Sequence, residues 1–215
     1  MAAEWQKSGR GRRWRSWQAG LGASLTFSLL WRFEQGPGNL AGLSLAVAVA
    51  AARALERMGV AGIGVKWPND LVHDWRKLGG ILVETSGEML GPTAAIVGIG
   101  INYRLGEALE RRIDQPAADV ASCGGALPSR NALLAGLLAE LVPALERFGR
   151  EGFAAFREDW KARHAYAGRL VTVLAAERPA RQAQVVDVAE DGALVVASEG
   201  RTERLTSAEI SLRPA

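Results

Sequence analysis

Cysteine occurs once in the 215 residues, at Cys123, and histidine twice, at His73 and His164. A single thiol excludes an internal disulfide framework and any zinc site built on paired cysteines, and it suits a reducing compartment. Cys123 is therefore expected to be structural. The two isolated histidines do not make a metal pair, so neither is assigned as a ligand. A leader is lacking too. Residues 1–17 are polar and basic, and the longest apolar stretch is broken by charge well short of a membrane span. Together these point to a soluble, cytoplasmic chain with no membrane partner. At 48% hydrophobic and 23% charged, the chain can bury a core large enough for one medium domain and a small one.

The net charge of +3 is concentrated at the start, where Lys7 and the arginines at 10, 12, 13 and 15 face only Glu4. Elsewhere Lys and Arg are interspersed with Asp and Glu, unlike the basic face of a nucleic-acid binder, so no nucleic-acid partner is expected. Residues 9–17 read G-R-G-R-R-W-R-S-W. Glycines expose backbone N–H groups that can wrap phosphate oxygens, and Arg10, Arg12, Arg13 and Arg15 add forked donors and fixed charge. The same run also reads as a solvated basic terminus.

Chemistry is densest at residues 66–81, K-W-P-N-D-L-V-H-D-W-R-K-L-G-G-I. Lys66, Asn69, Asp70 and Lys77 stand among Trp67, Leu71, Val72, Leu78, Ile81, Leu82 and Val83, a pattern of strands on either side of a turn. Pro68 must take the backbone out of the ladder just before Asn69 and Asp70, and Gly79 and Gly80 permit close approach of backbone or ligand. Asp70 reads either as a turn-capping residue or as a functional carboxylate. Residues 93–102, T-A-A-I-V-G-I-G-I-N, read as a buried strand ending on Asn102, which either opens toward a ligand or starts a turn.

Around these segments the pattern predicts a strand over 24–33, a break at G-P-G 36–38, and an amphipathic helix over 40–58 closing at Gly59. Strands at 64–67, 79–85 and 93–102 follow, then an irregular stretch over 113–128 and helices near 129–148 and 151–164. Beyond Tyr166 the runs are short and β-like, at 170–174, 182–188, 193–198 and 201–205, with Asp191-Gly192 as a hairpin signal. The expected fold is α+β, a mixed β-sheet domain backed by helices over 1–166 followed by a small SH3-like barrel over 167–215. Pairing of two copies through a sheet edge is compatible with the pattern, although no motif specifies a homodimer.

In this order and spacing the segments resemble the biotin protein ligase family over nearly the whole chain. The resemblance rests on A-E-W-Q at 3–6, the Arg/Gly loop, W-R-F-E-Q-G-P at 31–37, K-W-P-N-D, R-K-L-G-G-I-L-V-E, G-I-N and E-I-S-L-R at 209–213. It implies a class II synthetase-like catalytic domain without the family's N-terminal helix-turn-helix. The implied reaction joins ATP and biotin into biotinyl-5′-adenylate, with Mg²⁺, and passes the biotinyl group to a lysine of the biotin carboxyl carrier domain of acetyl-CoA carboxylase. A related lipoyl or octanoyl transferase and a non-catalytic adenylate- or partner-binding module are the alternatives.

By the same resemblance Arg10 and Arg12, with the Gly9 and Gly11 backbone, close over the adenylate, and Gln6 holds the biotin end. Lys77 bridges the biotin carboxylate and the α-phosphate, Lys66 is a second cation, and Asp70 orients or deprotonates the carrier lysine. Asn102 contacts the adenylate or its metal, Trp17 packs near the adenine, and Asn69, Gly79 and Gly80 complete the binding set. Leu82 and Val83 are expected walls for the bicyclic ring. Glu209 and Arg213 reach back toward the nucleotide, or are surface charges at a chain end. Trp14 stands where the family loop has glycine, which predicts impaired closure. Met1 falls just before A-E-W-Q, so the segment carrying the family's Ser/Thr-Asn biotin contacts is missing, which predicts weaker biotin binding and an uncovered sheet edge.

Overall fold

Apolar residues at every second position build the central strands, and the side they bury decides where everything else goes. The structure, a computed structural model, describes residues 1–175, 178–198, 200–206 and 210–214; Trp14 and residues 175, 178 and 210–214 are described by backbone alone. In chain order β1 (Ala2–Ala3), β2 (Gly9–Arg10), β3 (Ser16–Trp17) and β4 (Ser24–Phe33) lead to helix α1 (Leu43–Arg57). Then come β5 (Ile63–Lys66), β6 (Asp70–His73), β7 (Arg76–Gly87), β8 (Thr93–Asn102), α2 (Glu107–Glu110), α3 (Arg130–Glu151) and α4 (Arg157–Arg163). The last strands are β9 (Leu170–Ala175), β10 (Arg178–Val188), β11 (Leu194–Ser198), β12 (Arg201–Leu205) and β13 (Ile210–Pro214).

Six strands form one sheet in the order β1-β4-β8-β7-β6-β5, and five form another in the order β12-β11-β10-β9-β13. Neighbouring strands pair antiparallel throughout. The parallel component is two isolated bridges, Val65 with His164 and Lys77 with Ala117. In β8 the odd-numbered residues Val97, Ile99 and Ile101 are buried toward the helices, while Ala94, Ile96, Gly98 and Gly100 point to the other face. The second face is left open for the site.

Helix α1 is buried on nearly all sides because alanines at 46, 48, 50, 51, 52 and 54 let it lie close to both the sheet and α3. The segment Pro37–Arg57 is long and apolar enough by length and composition to cross a membrane, contrary to the expectation from the charge pattern, but 67% of that window is buried inside the fold. Helix α3 starts at a Ser129 cap and presents Leu133, Leu137, Leu141 and Leu145 as one stripe against α1. The expected strands at 24–33 and 93–102 have those ends, and the Asp191-Gly192 turn joins β10 to β11. On the β4 edge, β1 pairs only at Thr26 and Phe27, so Leu29 to Phe33 have no strand partner on that side among the described residues.

At the end of α4, His164 stacks on Trp160 with ring centroids 4.2 Å apart. Burial pushes its imidazole down to about 4, so the folded state favours the neutral ring. The stabilisation from a neutral His164 is complete above the ordinary histidine range and is lost as the pH falls from there toward 4. Between pH 7 and pH 5 the chain should lose about 2 kcal/mol of unfolding free energy at this residue. Urea denaturation of the native chain and a His164→Phe variant at both pH values checks this, the variant losing correspondingly less.

Candidate functional site

Cross-strand register places Lys66, Asp70, Gly80, Gly100 and Thr26 in one row across five strands, from β5 to β4. Directly opposed residues share a face, so the row points away from the α1 core. Two of its five members, Gly80 and Gly100, are glycines, and the row therefore dips into a trough. A cavity of about 680 Å³ opens over it, with the Arg/Gly loop as one wall, Lys66 to Asp70 as another and residues 112–115 as a third.

Lys77 reaches this face through a bulge. Simple alternation along β7 would put residues 77 and 80 on opposite faces. Leu71 pairs with Gly79 and Val72 with Lys77, however, leaving Leu78 without a partner and buried in the core. The extra residue restores the parity, and the Lys77 side chain lies across Gly80, whose absent Cβ would sit 3.4 Å from Cε and Nζ. Its ammonium stands 2.8 Å from Asp70 Oδ1, in a close ion contact outside hydrogen-bond alignment.

A bulge strands backbone groups that the ladder would otherwise pair, and their partners come from elsewhere. Lys77 N–H donates to Pro116 O at 2.8 Å, and Lys77 O accepts from Ala118 N–H at 2.9 Å. Buried Asn102 completes the set, its Nδ2 donating to Lys77 O at 3.1 Å and Ala118 O at 3.0 Å. Asn102 was expected on the adenylate or its metal. Its amide nitrogen is committed to the backbone that carries Lys77, and the residue also lines the cavity.

The turn between β5 and β6 holds Asn69 in place with two bonds to β7, Nδ2 to Ile81 O at 2.8 Å and Ile81 N–H to Asn69 O at 2.9 Å. Asn69 Oδ1 accepts from Arg12 Nη1 at 3.4 Å, so the Arg/Gly loop touches the sheet at this turn. Burial lowers the Arg12 pKa below the usual guanidinium value, Asp70 opposes that shift, and Arg13 and Arg15 reinforce it. The left-handed conformation in this loop falls at Arg13, with φ 57°, beside the Trp14 that was expected to carry the strain. The Trp17 indole covers Gly100, where a Cβ would come within 2.7 Å of it.

Gln6, Arg10, Gly11, Arg12, Trp17, Lys66, Asn69, Asp70, Lys77, Gly80 and Asn102 all line the cavity, as does the expected wall residue Leu82. Gly79 does not. It faces the core, where a Cβ would meet Gly100 O at 2.8 Å, because the bulge places residues 79 and 80 on opposite sides. Val83 turns inward with the same alternation and packs against the core. Gly9 closes the small β2–β3 hairpin, where its Cβ would strike Trp17 O at 2.6 Å, and it reaches no part of the cavity wall. Arg213 is placed only as a β13 position opposite Thr172, and Glu209 lies outside the described residues. Arg112 and Asp114 line the cavity without having been singled out. Their signal was slight, an R-R-I-D-Q-P run inside a stretch that read only as irregular. Cys123 is apart from this chemistry, its thiol pushed up to about 11 by burial and then by Asp119.

The cavity is cationic around the loop, Lys66 and Lys77, and apolar along Leu82 and Ile96. Such a site suits an elongated molecule with an anionic part and an apolar part. Among the described residues no group of three or more His, Cys, Asp or Glu could cage a metal ion.

Residues 1–102 match the model of the biotin/lipoate A/B protein ligase family, and residues 166–213 match that of the biotin protein ligase C-terminal domain. The chain is 37% identical over 217 residues to the bifunctional ligase/repressor BirA of Escherichia coli K12, covering 99% of this chain and 66% of that protein. It is 32% identical over 218 residues to the biotin–[acetyl-CoA-carboxylase] ligase of Mycobacterium tuberculosis, covering 98% of this chain and 77% of that protein. The solved biotin protein ligase from Aquifex aeolicus in complex with biotin and ATP superposes with a TM-score of 0.84 at 27% identity, covering 100% of this chain and 88% of that one. The chain belongs to the biotin protein ligase family. It spans about two thirds of the length of the Escherichia coli relative.

If Asn102 braces the bulge, substituting it should cost stability in a characteristic order. Asn102→Ala removes the side-chain donor to Ala118 O, at about 1–3 kcal/mol before relaxation, and leaves Lys77 O with the Ala118 N–H alone. Asn102→Asp should be worse, because a carboxylate would face two carbonyl oxygens at about hydrogen-bond distance. Urea denaturation of both variants checks the ranking; a residue serving only to meet ligand would tolerate Asp at least as well as Ala.

Proposed function

We propose that the chain attaches biotin to a lysine of a carrier domain at the expense of ATP, through biotinyl-5′-AMP. The observation that carries this reading is the convergence of the Arg/Gly loop, Asn69 and the Lys77–Asp70 pair over a glycine-floored trough with an apolar flank. The names of the relatives and the ligands of the Aquifex protein supply its specificity.

In the first step an oxygen of the biotin carboxylate attacks the α-phosphorus, the bond to the β-phosphate breaks, and pyrophosphate leaves. Two anions must be brought together, so the barrier is lowered by fixed cations placed where charge develops. Lys77, lying over Gly80, sits between the carboxylate and the α-phosphate, while Arg10 and Arg12 hold the phosphates from the loop and Lys66 from the opposite wall. Gln6 and Trp17 meet the two ends of the adenylate. In the second step the carrier lysine attacks the acyl carbon, AMP leaves, and Asp70 orients the amine or takes its proton. Asp70 also keeps the Lys77 ammonium in place before substrate arrives. Mg²⁺ would come bound to ATP phosphates, since the chain offers no carboxylate cage for it among the described residues. No step depends on its position.

We assign residues 1–166 to the catalytic domain and 167–215 to the small β domain. The acceptor is a carrier domain of the kind modified by biotin–[acetyl-CoA-carboxylase] ligases, and the reaction is placed in the cytoplasm. The strand-free stretch of the β4 edge is where a second copy would add to the sheet.

Biotin-dependent release of pyrophosphate from MgATP tests the reading, with lipoate and octanoate as competing acids. Lys77→Ala should lower the rate by about 10²–10³-fold while circular dichroism shows an intact fold. A Lys77→Ala variant with undiminished release would remove Lys77 from the reaction, and absence of release from the native chain would remove the reaction from this chain.

A further inference from the structure

Trp67, the second residue of K-W-P-N-D, is 1% exposed, and its indole Nε1 donates to Gly192 O at 3.0 Å, across 125 positions of chain. Gly192 forms the turn between β10 and β11, in the second sheet. Two glycines make this approach feasible. Gly192, with φ 82°, has no room for a Cβ, which would lie 2.8 Å from Gly42 Cα, and Gly42, with φ 79°, has none against Phe153 at 2.6 Å. The start of α1 is thereby held against the β10–β11 turn. From that start, Ser44 Oγ donates to Pro68 O at 3.0 Å.

The turn over residues 67–69 is thus gripped from outside by the second sheet and α1. On its inner side Asn69 binds Ile81 O and receives Arg12, and Asp70 meets Lys77. Any shift of the turn moves the loop contact and the ion pair together. We propose that the β10–β11 turn, through Gly192 O and Trp67 Nε1, positions Asn69 and Asp70 for phosphate chemistry, with Trp67 as a positioning residue. The kinetic part of this proposal rests on the ligase reading; the structural part does not.

A second tie to the second sheet, made from α4, serves as the control. Arg157 Nε donates to Val188 O at 2.6 Å and its Nη2 to Asp187 Oδ2 at 2.5 Å, and Arg157 contributes nothing to the lining of the large cavity. Trp67→Phe keeps the ring and removes the donor, whereas Arg157→Ala removes the other tie. Both full-length variants are compared with the native chain at a temperature where circular dichroism shows all three folded. Hydrogen–deuterium exchange in peptides covering residues 66–71 should rise in Trp67→Phe and stay at the native level in Arg157→Ala. The kcat for biotin-dependent pyrophosphate release should fall about tenfold in Trp67→Phe with KM for biotin changed by less than about twofold, and Arg157→Ala should keep the native kcat. Should Trp67→Phe not fold, Gly192→Ala disturbs the same bond from its other partner and is judged by the same outcomes. Exchange at 66–71 that is unchanged, or that rises equally in both variants, overturns the proposal, as does an equal fall in kcat. A native chain that releases no pyrophosphate refutes the function, and the exchange comparison then decides the positioning role alone.

Discussion

The geometry of the site depends on one unpaired residue in β7. With Leu78 tucked into the core, Lys77 and Gly80 share a face that strict alternation would deny them. The ammonium can then lie over a glycine and meet Asp70, which faces the cavity because it pairs with both Lys66 and Gly80. A bulge has a cost in unpaired backbone groups, and the protein covers that cost with Pro116, Ala118 and Asn102. Thus the segment that follows the sheet, and the last residue of β8, are bound to the position of a single lysine.

Around this centre the fold supplies a rigid back and a looser front. The back is α1, whose alanines permit tight packing, with α3 beside it and the β10–β11 turn against its start. The front is the Arg/Gly loop, mostly exposed and built of short hairpin and turn, which touches the sheet where Arg12 meets Asn69 and where Trp17 covers Gly100. Firm positioning of Lys77 and Asp70 under an exposed cationic wall is the division of labour that the proposed chemistry would need. The turn at residues 67–69 joins back and front, since it bonds to α1, to β7 and to the loop.

Much of this was legible in the residues. Alternation set the ends of β4 and β8, Asp191-Gly192 marked its hairpin, and the clustering of Lys66, Asn69, Asp70 and Lys77 marked the site. The position of the bulge was not legible, because R-K-L-G-G-I offers no local sign of which residue loses its partner. Without it, Gly79 and Gly80 looked equivalent, and Val83 looked as much a wall as Leu82. The backbone bonds of Asn102 were not legible for a related reason: its partners include Ala118, in an irregular stretch whose path only the folded chain defines. Trp14 drew attention as the non-glycine in the loop, whereas the left-handed backbone went to its neighbour Arg13. Arg112 and Asp114 line the cavity just before residues 116–118, which bond to the bulge at Lys77.

The central claim is that Lys77, delivered by the bulge, is the group that meets the reacting phosphate. A crystal structure of the chain with biotinyl-5′-AMP tests it most directly. The account predicts the phosphate within hydrogen-bond reach of Lys77 Nζ, the Arg/Gly loop folded over it, and the bicyclic ring along the Leu82 side of the trough. An adenylate bound elsewhere, or one whose phosphate is held by other groups while Lys77 remains paired with Asp70 alone, would contradict it.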